Sequence, residues 1–196
     1  MRVSVRFLGL ALGLALAVAG CGAPPAADMN AAKTAVDKSV TAGAGDYAAD
    51  SLKTAQDAQA ALDAEVKAQD GKWFKSYDKA KELAAAVKTA ADKAAADAIT
   101  GKEKAKGEAT AAIGEAKTLL DEAKALLDKA PKGKGSAADI EAMKADLTAA
   151  ATAITEAEGA LSSERFLDAK AKASAAKNTA SSVKTAVETA MAAKKR

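Results

Sequence analysis

Residues 137–162, AADIEAMKADLTAAATAITEAEGALS, carry the most regular pattern in the chain and decide its fold. Apolar side chains recur there at alternating intervals of three and four residues: Ile140, Met143, Leu147, Ala150, Ile154, Ala157 and Leu161. This spacing places all of them on one stripe of an α-helix. After Ser162-Ser163 the same spacing resumes with Phe166, Ala169, Ala173, Ala176, Ala180, Val183, Val187 and Ala190. Because the connection is so short, we predict an antiparallel helical hairpin over residues 137–193.

The preceding part of the chain carries weaker versions of the same pattern. One stripe, which ends before residues 69–72, comprises Leu52, Ala55, Gln59, Leu62 and Val66. The next comprises Phe74, Tyr77, Ala80, Ala84, Val87, Ala91 and Ala94. Thr100-Gly-Lys-Glu103 has the spacing of a capping box and predicts a helix restart or kink. A further stripe, which runs on to Lys129, comprises Ile113, Ala116, Leu120, Ala123 and Leu127.

The composition favours helix along most of the chain. Alanine, the best helix former, accounts for 58 of the 196 residues, and only 3 are proline. We therefore predict an all-α fold of elongated, antiparallel, alanine-rich helical hairpins, or a helical bundle of about five helices. The predicted segments are a leader at 1–20, a tether at 21–30, a first helical unit at 31–130, a loop at 131–136, the second hairpin at 137–193 and a basic tail at 194–196.

The two hairpins share a spacing of aromatic and alanine residues. A shift of 89 residues places Tyr77, Ala80 and Ala84 on Phe166, Ala169 and Ala173. Such matches arise easily in alanine-rich sequence, so the pattern leaves an internal repeat open.

The N-terminus has the organisation of an export signal. Arg2 and Arg6 precede an apolar run over residues 7–18, and small residues follow. A membrane-spanning helix needs about 20 apolar residues, so this run is too short to serve as an anchor. We expect residues 1–20 to be removed and to take no part in the fold.

The only cysteine of the chain follows this leader. Val18-Ala19-Gly20-Cys21 resembles the lipobox of bacterial lipoproteins. The resemblance implies cleavage after Gly20, diacylglyceryl transfer to the Cys21 thiol and acylation of the new amino group. It also implies a lipid-anchored protein of the bacterial cell envelope, in the outer membrane and facing the periplasm, because Gly22 rather than aspartate follows Cys21. The alternative is ordinary cleavage after Ala19, which would leave a free thiol.

Two further resemblances concern the helical body. The segment Tyr47-Ala-Ala-Asp-Ser-Leu52-x-x-Ala55, with the aromatic and alanine residues after it, resembles an exported lipoprotein family of unknown function over residues 46–98. That family implies α-hairpins and an envelope location but no reaction. Residues 101–117, GKEKAKGEATAAIGEAK, resemble the repeats of desiccation-protective proteins.

Little in the sequence points to catalysis. The chain has no histidine, and Cys21 is assigned to lipidation, so the familiar triads and the ordinary zinc and haem sites are excluded. Most carboxylates have a lysine three or four residues away, as on an exposed helix. Charges of both signs alternate, which argues against nucleic-acid binding. We predict no enzyme activity, no catalytic residues, no metal and no cofactor.

One cluster of aromatic residues stands out. Trp73, Phe74 and Tyr77 are either an interaction patch or a plug of the hairpin end, with Trp73 half-exposed in the second case. The C-terminal Ala-Lys-Lys-Arg196 faintly resembles the lysine end of murein lipoprotein, which implies peptidoglycan as a weak candidate partner.

These features favour a non-enzymatic spacer, scaffold or helix-docking module, held to the membrane by its N-terminal lipid and bound to an envelope protein or a partner helix. Two alternatives stay open. One is a stress-protective, desiccation-type protein that becomes helical only under some conditions. The other is a carrier of a small ligand within the bundle.

Overall fold

A computed structural model of the chain describes residues 22–130 and 137–194. Within these ranges the chain forms no strand and six α-helices: α1 (Ala26–Thr41), α2 (Ala44–Tyr47), α3 (Ala49–Asp70), α4 (Asp78–Asp128), α5 (Ala137–Ser162) and α6 (Phe166–Lys194). Helix α2 is a single turn, so five helices are long. The predicted all-α fold is confirmed.

The chain divides into two compact units, Met1–Ile99 and Thr100–Arg196, here called the first and second units. The division falls within α4, whereas the sequence pattern placed it at residues 131–136, which lie outside the described residues. The division falls there because the second half of α4 packs with α5 and α6. Its buried Ile113, Leu120 and Leu127 belong to one apolar cluster with residues of α5 and α6.

The first unit packs α1, α3 and the first half of α4 together. Leu62 of α3 is fully buried and shares a cluster with Ala84 and Val87 of α4. Toward the start of α3, Leu52 clusters instead with Ala94 and Ala98. The end of α3 packs against the start of α4, and the start of α3 packs further along α4, so the two helices are antiparallel. This arrangement confirms the predicted hairpin.

The predicted tether at 21–30 is wrong over its second half, because α1 begins at Ala26. The Pro25 carbonyl accepts a hydrogen bond from the Met29 N–H at 3.0 Å, which starts the helix directly after the two prolines. The fold holds α1 in place through Ala32, which is fully buried beside Leu62. Only residues 22–25 of the described chain precede the helical body.

Of the predicted restart or kink at Thr100-Gly-Lys-Glu103, the restart is wrong, because α4 is continuous from Asp78 to Asp128. The kink stays a prediction. Buried alanines carry the packed stripe of α4 across this segment: Ala98, Ala105 and Ala109. Gly107 and Gly114 face open space and have negative φ angles, so they weaken the helix without ending it.

Glycine replacements test this explanation. Gly107→Ala and Gly114→Ala should each raise the free energy of unfolding of the second unit by up to about 1 kcal/mol, because alanine is the better helix former and nothing obstructs its β-carbon. Gly43→Ala is the contrasting change and should lower the stability of the first unit by about 1–2 kcal/mol, because Gly43 has φ +89°. Chemical denaturation measures all three. Destabilisation by either of the first two would contradict the account.

The second unit contains the second half of α4, α5 and α6. The α5–α6 hairpin is confirmed, and its two stripes face a common core: Leu147, Ala150, Ile154 and Ala157 from α5, with Ala173, Ala176, Ala180, Val183 and Val187 from α6. Phe166 is also buried, and the Lys102 ammonium lies 5.9 Å from the centre of its ring. Ala190, at the end of the predicted stripe, is exposed.

A ladder of ion pairs joins α4 to α6. Lys Nζ to Glu Oε2 distances of 2.6–2.7 Å connect Lys170 to Glu108, Lys177 to Glu115 and Lys184 to Glu122. Each pair is separated by 62 residues, so α4 and α6 run parallel, and successive pairs lie one heptad apart. Glu108 also has the predicted partner on its own helix, since its Oε1 lies 3.9 Å from Lys104 Nζ. Glu115 and Glu122 have no lysine three or four residues away on α4.

The ion pairs of α6 with α4 and α5 predict a loss of stability in acid. Hydrogen bonds and charge from Lys170 and Lys177 hold the pKa of Glu108 and Glu115 below the ordinary 4.5, and Lys172 does the same for Glu156. A carboxylate with a lowered folded-state pKa stabilises the fold above its unfolded pKa, and the contribution is lost as pH falls through the folded-state value. The denaturation midpoint of the second unit should therefore drop as pH is lowered from neutrality past 4.5.

The matched control replaces Glu108, Glu115 and Glu156 by glutamine. The triple variant should be less stable than the parent at neutral pH and should show a shallower fall in acid. Equal pH profiles for the two proteins would contradict the assignment.

The two units place corresponding residues in their cores. Corresponding residues at the shift of 89 are buried in both units. Tyr77 and the α4 residues Ala80, Ala84, Val87, Ala91, Ala94 and Ala98 correspond to the α6 residues Phe166, Ala169, Ala173, Ala176, Ala180, Val183 and Val187. This agreement in burial favours the internal repeat that the sequence left open.

Candidate interaction site

The connection between α3 and α4, residues 71–77, is held at both ends by hydrogen bonds. The Tyr77 hydroxyl donates to Asp70 Oδ1 at 2.7 Å, and the Ser76 N–H donates to Gln69 Oε1 at 3.3 Å. The Lys72 N–H donates to the Gln69 carbonyl at 3.0 Å. These contacts join the last turn of α3 to the residues before α4 and define the course of the loop.

Tyr77 is the residue that closes this end of the first unit. It is 4% exposed and packs in the cluster of Ala32, Leu62 and Ala80. The hydrogen bond to Asp70 raises the pKa of the Tyr77 hydroxyl, and burial and the Asp70 charge act in the same direction. Tyr77 therefore belongs to the core, as the alternative of a plug predicts for this residue, and not to an interaction patch.

Trp73 and Phe74 lie on the surface. Their exposed fractions are 90% and 82%. The alternative in which Phe74 plugs the hairpin end and Trp73 is half-exposed is wrong. The sequence pattern places Phe74 on the apolar stripe of α4, but α4 begins at Asp78 and residue 74 lies outside the helix.

Two lysines flank the aromatic pair. Lys72 is exposed, and Lys75 is partly exposed with its Nζ 3.6 Å from Asp70 Oδ1. Lys72, Trp73, Phe74 and Lys75, here called the aromatic loop, present two apolar rings between two cations. Such a surface can contact an apolar layer bordered by negative charge.

The N-terminal end of the described chain lies close to this loop. A β-carbon on Gly22 would lie 3.6 Å from Cδ2 of Tyr77, so the Gly22 backbone is near the tyrosine ring. Gly22 is itself exposed. The predicted cleavage residue Gly20 and the predicted lipidation residue Cys21 lie outside the described residues, but Cys21 is bonded directly to Gly22.

Other parts of the described chain offer less chemistry. Over residues 22–130 and 137–194 we find no group of three or more acidic or cysteine side chains positioned to hold a metal ion. An open cavity of about 270 Å³ in the second unit is lined by Lys124, Leu127, Asp128, Lys144, Leu147 and Thr148. In these same ranges, no helix combines the length and apolar character needed to cross a bilayer.

Comparison of the chain with protein-family models, with curated proteins and with solved structures finds no significant match.

Proposed function

We propose that this chain is a lipid-anchored lipoprotein of the bacterial cell envelope that acts as a non-enzymatic helical scaffold or helix-docking module. The leader and the Val18-Ala19-Gly20-Cys21 sequence support the anchor. In this proposal the Cys21 acyl chains are held in the outer membrane, and the helical units face the periplasm. A single acyl chain binds a bilayer only reversibly, so several chains on one residue give a firm attachment.

The observation that carries the proposal is the leader followed by Val18-Ala19-Gly20-Cys21, and the exposed position of Gly22 directly before the fold agrees with an anchor there. Residues 22–25 separate Cys21 from α1, so the chain can extend about 18 Å at most from Cys21 to Ala26. An acylated Cys21 would therefore keep the first unit near the bilayer surface, rather than far from it.

The charged surface supports a structural rather than a chemical role. In the second unit, Lys117 pairs with Glu158 across α4 and α5, and Lys172 pairs with Glu156 across α5 and α6. These carboxylates hold helices together, so we assign them to packing. An envelope protein or a helix is the partner class that we propose for such a module.

The test is the chemistry of Cys21. Mass spectrometry of the purified protein should find an N-terminus at Cys21 carrying diacylglyceryl and acyl groups, and the protein should fractionate with membranes. Cys21→Ser should abolish acylation and leave the leader uncleaved by the lipoprotein pathway. Ala23→Ser, two residues further on, is the matched control and should be processed normally. A mature protein with a free Cys21 thiol would overturn the proposal.

One observation favours the second candidate, a conditionally helical protectant. Alanine makes up 21 of the 33 buried apolar residues in the described ranges, and each buries little area. Circular dichroism separates the two candidates. A scaffold is strongly helical in buffer and melts cooperatively, whereas a protectant gains most of its helix on drying or in trifluoroethanol.

A further inference from the structure

We propose that the aromatic loop, residues 72–75, is a second membrane contact that inserts Trp73 and Phe74 into the interface of the bilayer that holds Cys21. This inference rests on the proposed function, because it concerns the same attachment. It adds a specific surface and a specific ligand class, the headgroups and upper acyl chains of anionic phospholipid.

The first argument is the exposure of both rings on a loop of defined course. Burying a phenylalanine side chain is worth about 1.5–3 kcal/mol, and here neither ring is buried although Tyr77, only three residues from Phe74, is. The hydrogen bonds of Gln69, Asp70 and Tyr77 hold the ends of the loop, so the exposure is a consequence of the fold. The rings are therefore available to an external apolar phase.

The second argument is the chemistry around the rings. Tryptophan is enriched where a membrane meets water, since its ring is apolar and its N–H is polar. Lys72 on one side would meet the phosphates of anionic lipid, whose surface potential attracts such cations. Lys75 on the other side adds a second positive charge, which it shares with Asp70 at 3.6 Å. The order Lys-Trp-Phe-Lys therefore matches a lipid interface better than an uncharged protein groove.

The third argument is position. Gly22 lies against Tyr77. Phe74 is three residues from Tyr77, so the α-carbons of Phe74 and Tyr77 are at most about 11 Å apart. Cys21 is bonded to Gly22. The attachment point of the lipid and the aromatic loop thus lie at the same end of the first unit. A single bilayer surface can contact both.

Together these contacts would orient the first unit. An acyl anchor alone leaves the attached unit free to turn about its connection, whereas a second contact restricts it.

Trp73 is the only tryptophan of the chain, so its fluorescence tests the proposal directly. The acylated protein is reconstituted into vesicles of phosphatidylethanolamine and phosphatidylglycerol. We expect its emission to be blue-shifted, quenched by lipids brominated on the upper acyl chain, and protected from iodide. Trp73 emission typical of water, with free quenching by iodide, would overturn the inference even where mass spectrometry finds Cys21 acylated.

A second arm removes the anchor. A chain that lacks residues 1–20 and carries Cys21→Ser keeps every described residue and is titrated with the same vesicles. Lys72→Ser with Lys75→Ser should weaken partitioning roughly 30-fold, because each lysine near an anionic surface contributes roughly fivefold. Phe74→Ser should weaken it by roughly tenfold or more. A partition coefficient that stays unchanged in both the double lysine variant and Phe74→Ser would overturn the inference.

Matched variants exclude general effects of charge and apolar area. Lys124→Ser with Lys129→Ser makes the same change in net charge in the second unit, and Leu167→Ser removes another exposed apolar side chain. Both should leave partitioning nearly unchanged. A blue shift of Trp73 that grows with protein concentration in the absence of vesicles would identify a second copy as the occupant and overturn the inference.

Discussion

Leu147→Ala should lower the free energy of unfolding of the second unit by about 2–5 kcal/mol. Leu147 is 2% exposed and lies in the cluster formed by α4, α5 and α6. Truncation removes buried methyl groups and leaves a cavity, and the neighbouring alanines are too small to fill it. Denaturant titration followed by circular dichroism measures the loss, and hydrogen exchange of α5 and α6 peptides assigns it to the second unit.

Leu167→Ala is the matched control for this prediction. Leu167 is on α6 in the same unit and is 47% exposed, so the same truncation removes little buried area. We expect a change of under about 1 kcal/mol, within the range for surface positions. Equal losses from Leu147→Ala and Leu167→Ala would mean that α5 does not pack as described.

Ala173→Leu should destabilise the second unit by about 1–3 kcal/mol, although leucine is an excellent helix former. Ala173 is fully buried in the cluster that includes Ile154 and Ala116. The added carbons have no space there, so either α6 moves outward or side chains leave their preferred rotamers. Thermal and denaturant unfolding both measure this loss.

The control for this substitution is Ala171→Leu, two residues earlier on the same helix. Ala171 is exposed, so the added side chain extends into solvent and the helix propensity hardly changes. Stability should stay close to that of the parent. If Ala173→Leu were as well tolerated as Ala171→Leu, the alanine stripe of α6 would not be a packing surface.

The α5–α6 hairpin could be predicted from sequence because large apolar residues mark its stripe. Leu147 and Ile154 are large apolar residues at helical spacing, and a short connection at Ser162-Ser163 favours an antiparallel hairpin. The α3–α4 hairpin followed in the same way from Leu62 and Val87.

The continuous α4 and the early start of α1 could not be predicted in this way. Alanine is common in buried and in exposed helix positions alike, so Ala105 and Ala109 gave no sign that they are buried positions of one continuous helix. The capping signal at Thr100 is local, and tertiary packing overrides it. The ion pairs from α4 to α6 could not be predicted because each joins residues 62 positions apart, and the spacing within one helix carries no signal for such a pair.

The candidate site was predicted in part. Trp73 and Phe74 were identified by composition, but the sequence could not tell that α4 begins at Asp78 and so excludes Phe74 from the stripe that buries Tyr77. Nor could it reveal that Gly22 lies beside Tyr77, because that contact joins positions far apart in the chain.

The ladder between α4 and α6 has one further consequence. Because its steps repeat every heptad, a slip of α6 by seven residues, about 10.5 Å, would re-form two of its three rungs. Charge alone therefore defines the register of these helices only weakly. The sizes of the core residues decide it, since a slipped α6 would bring Phe166 to the space that only Ala173 fits.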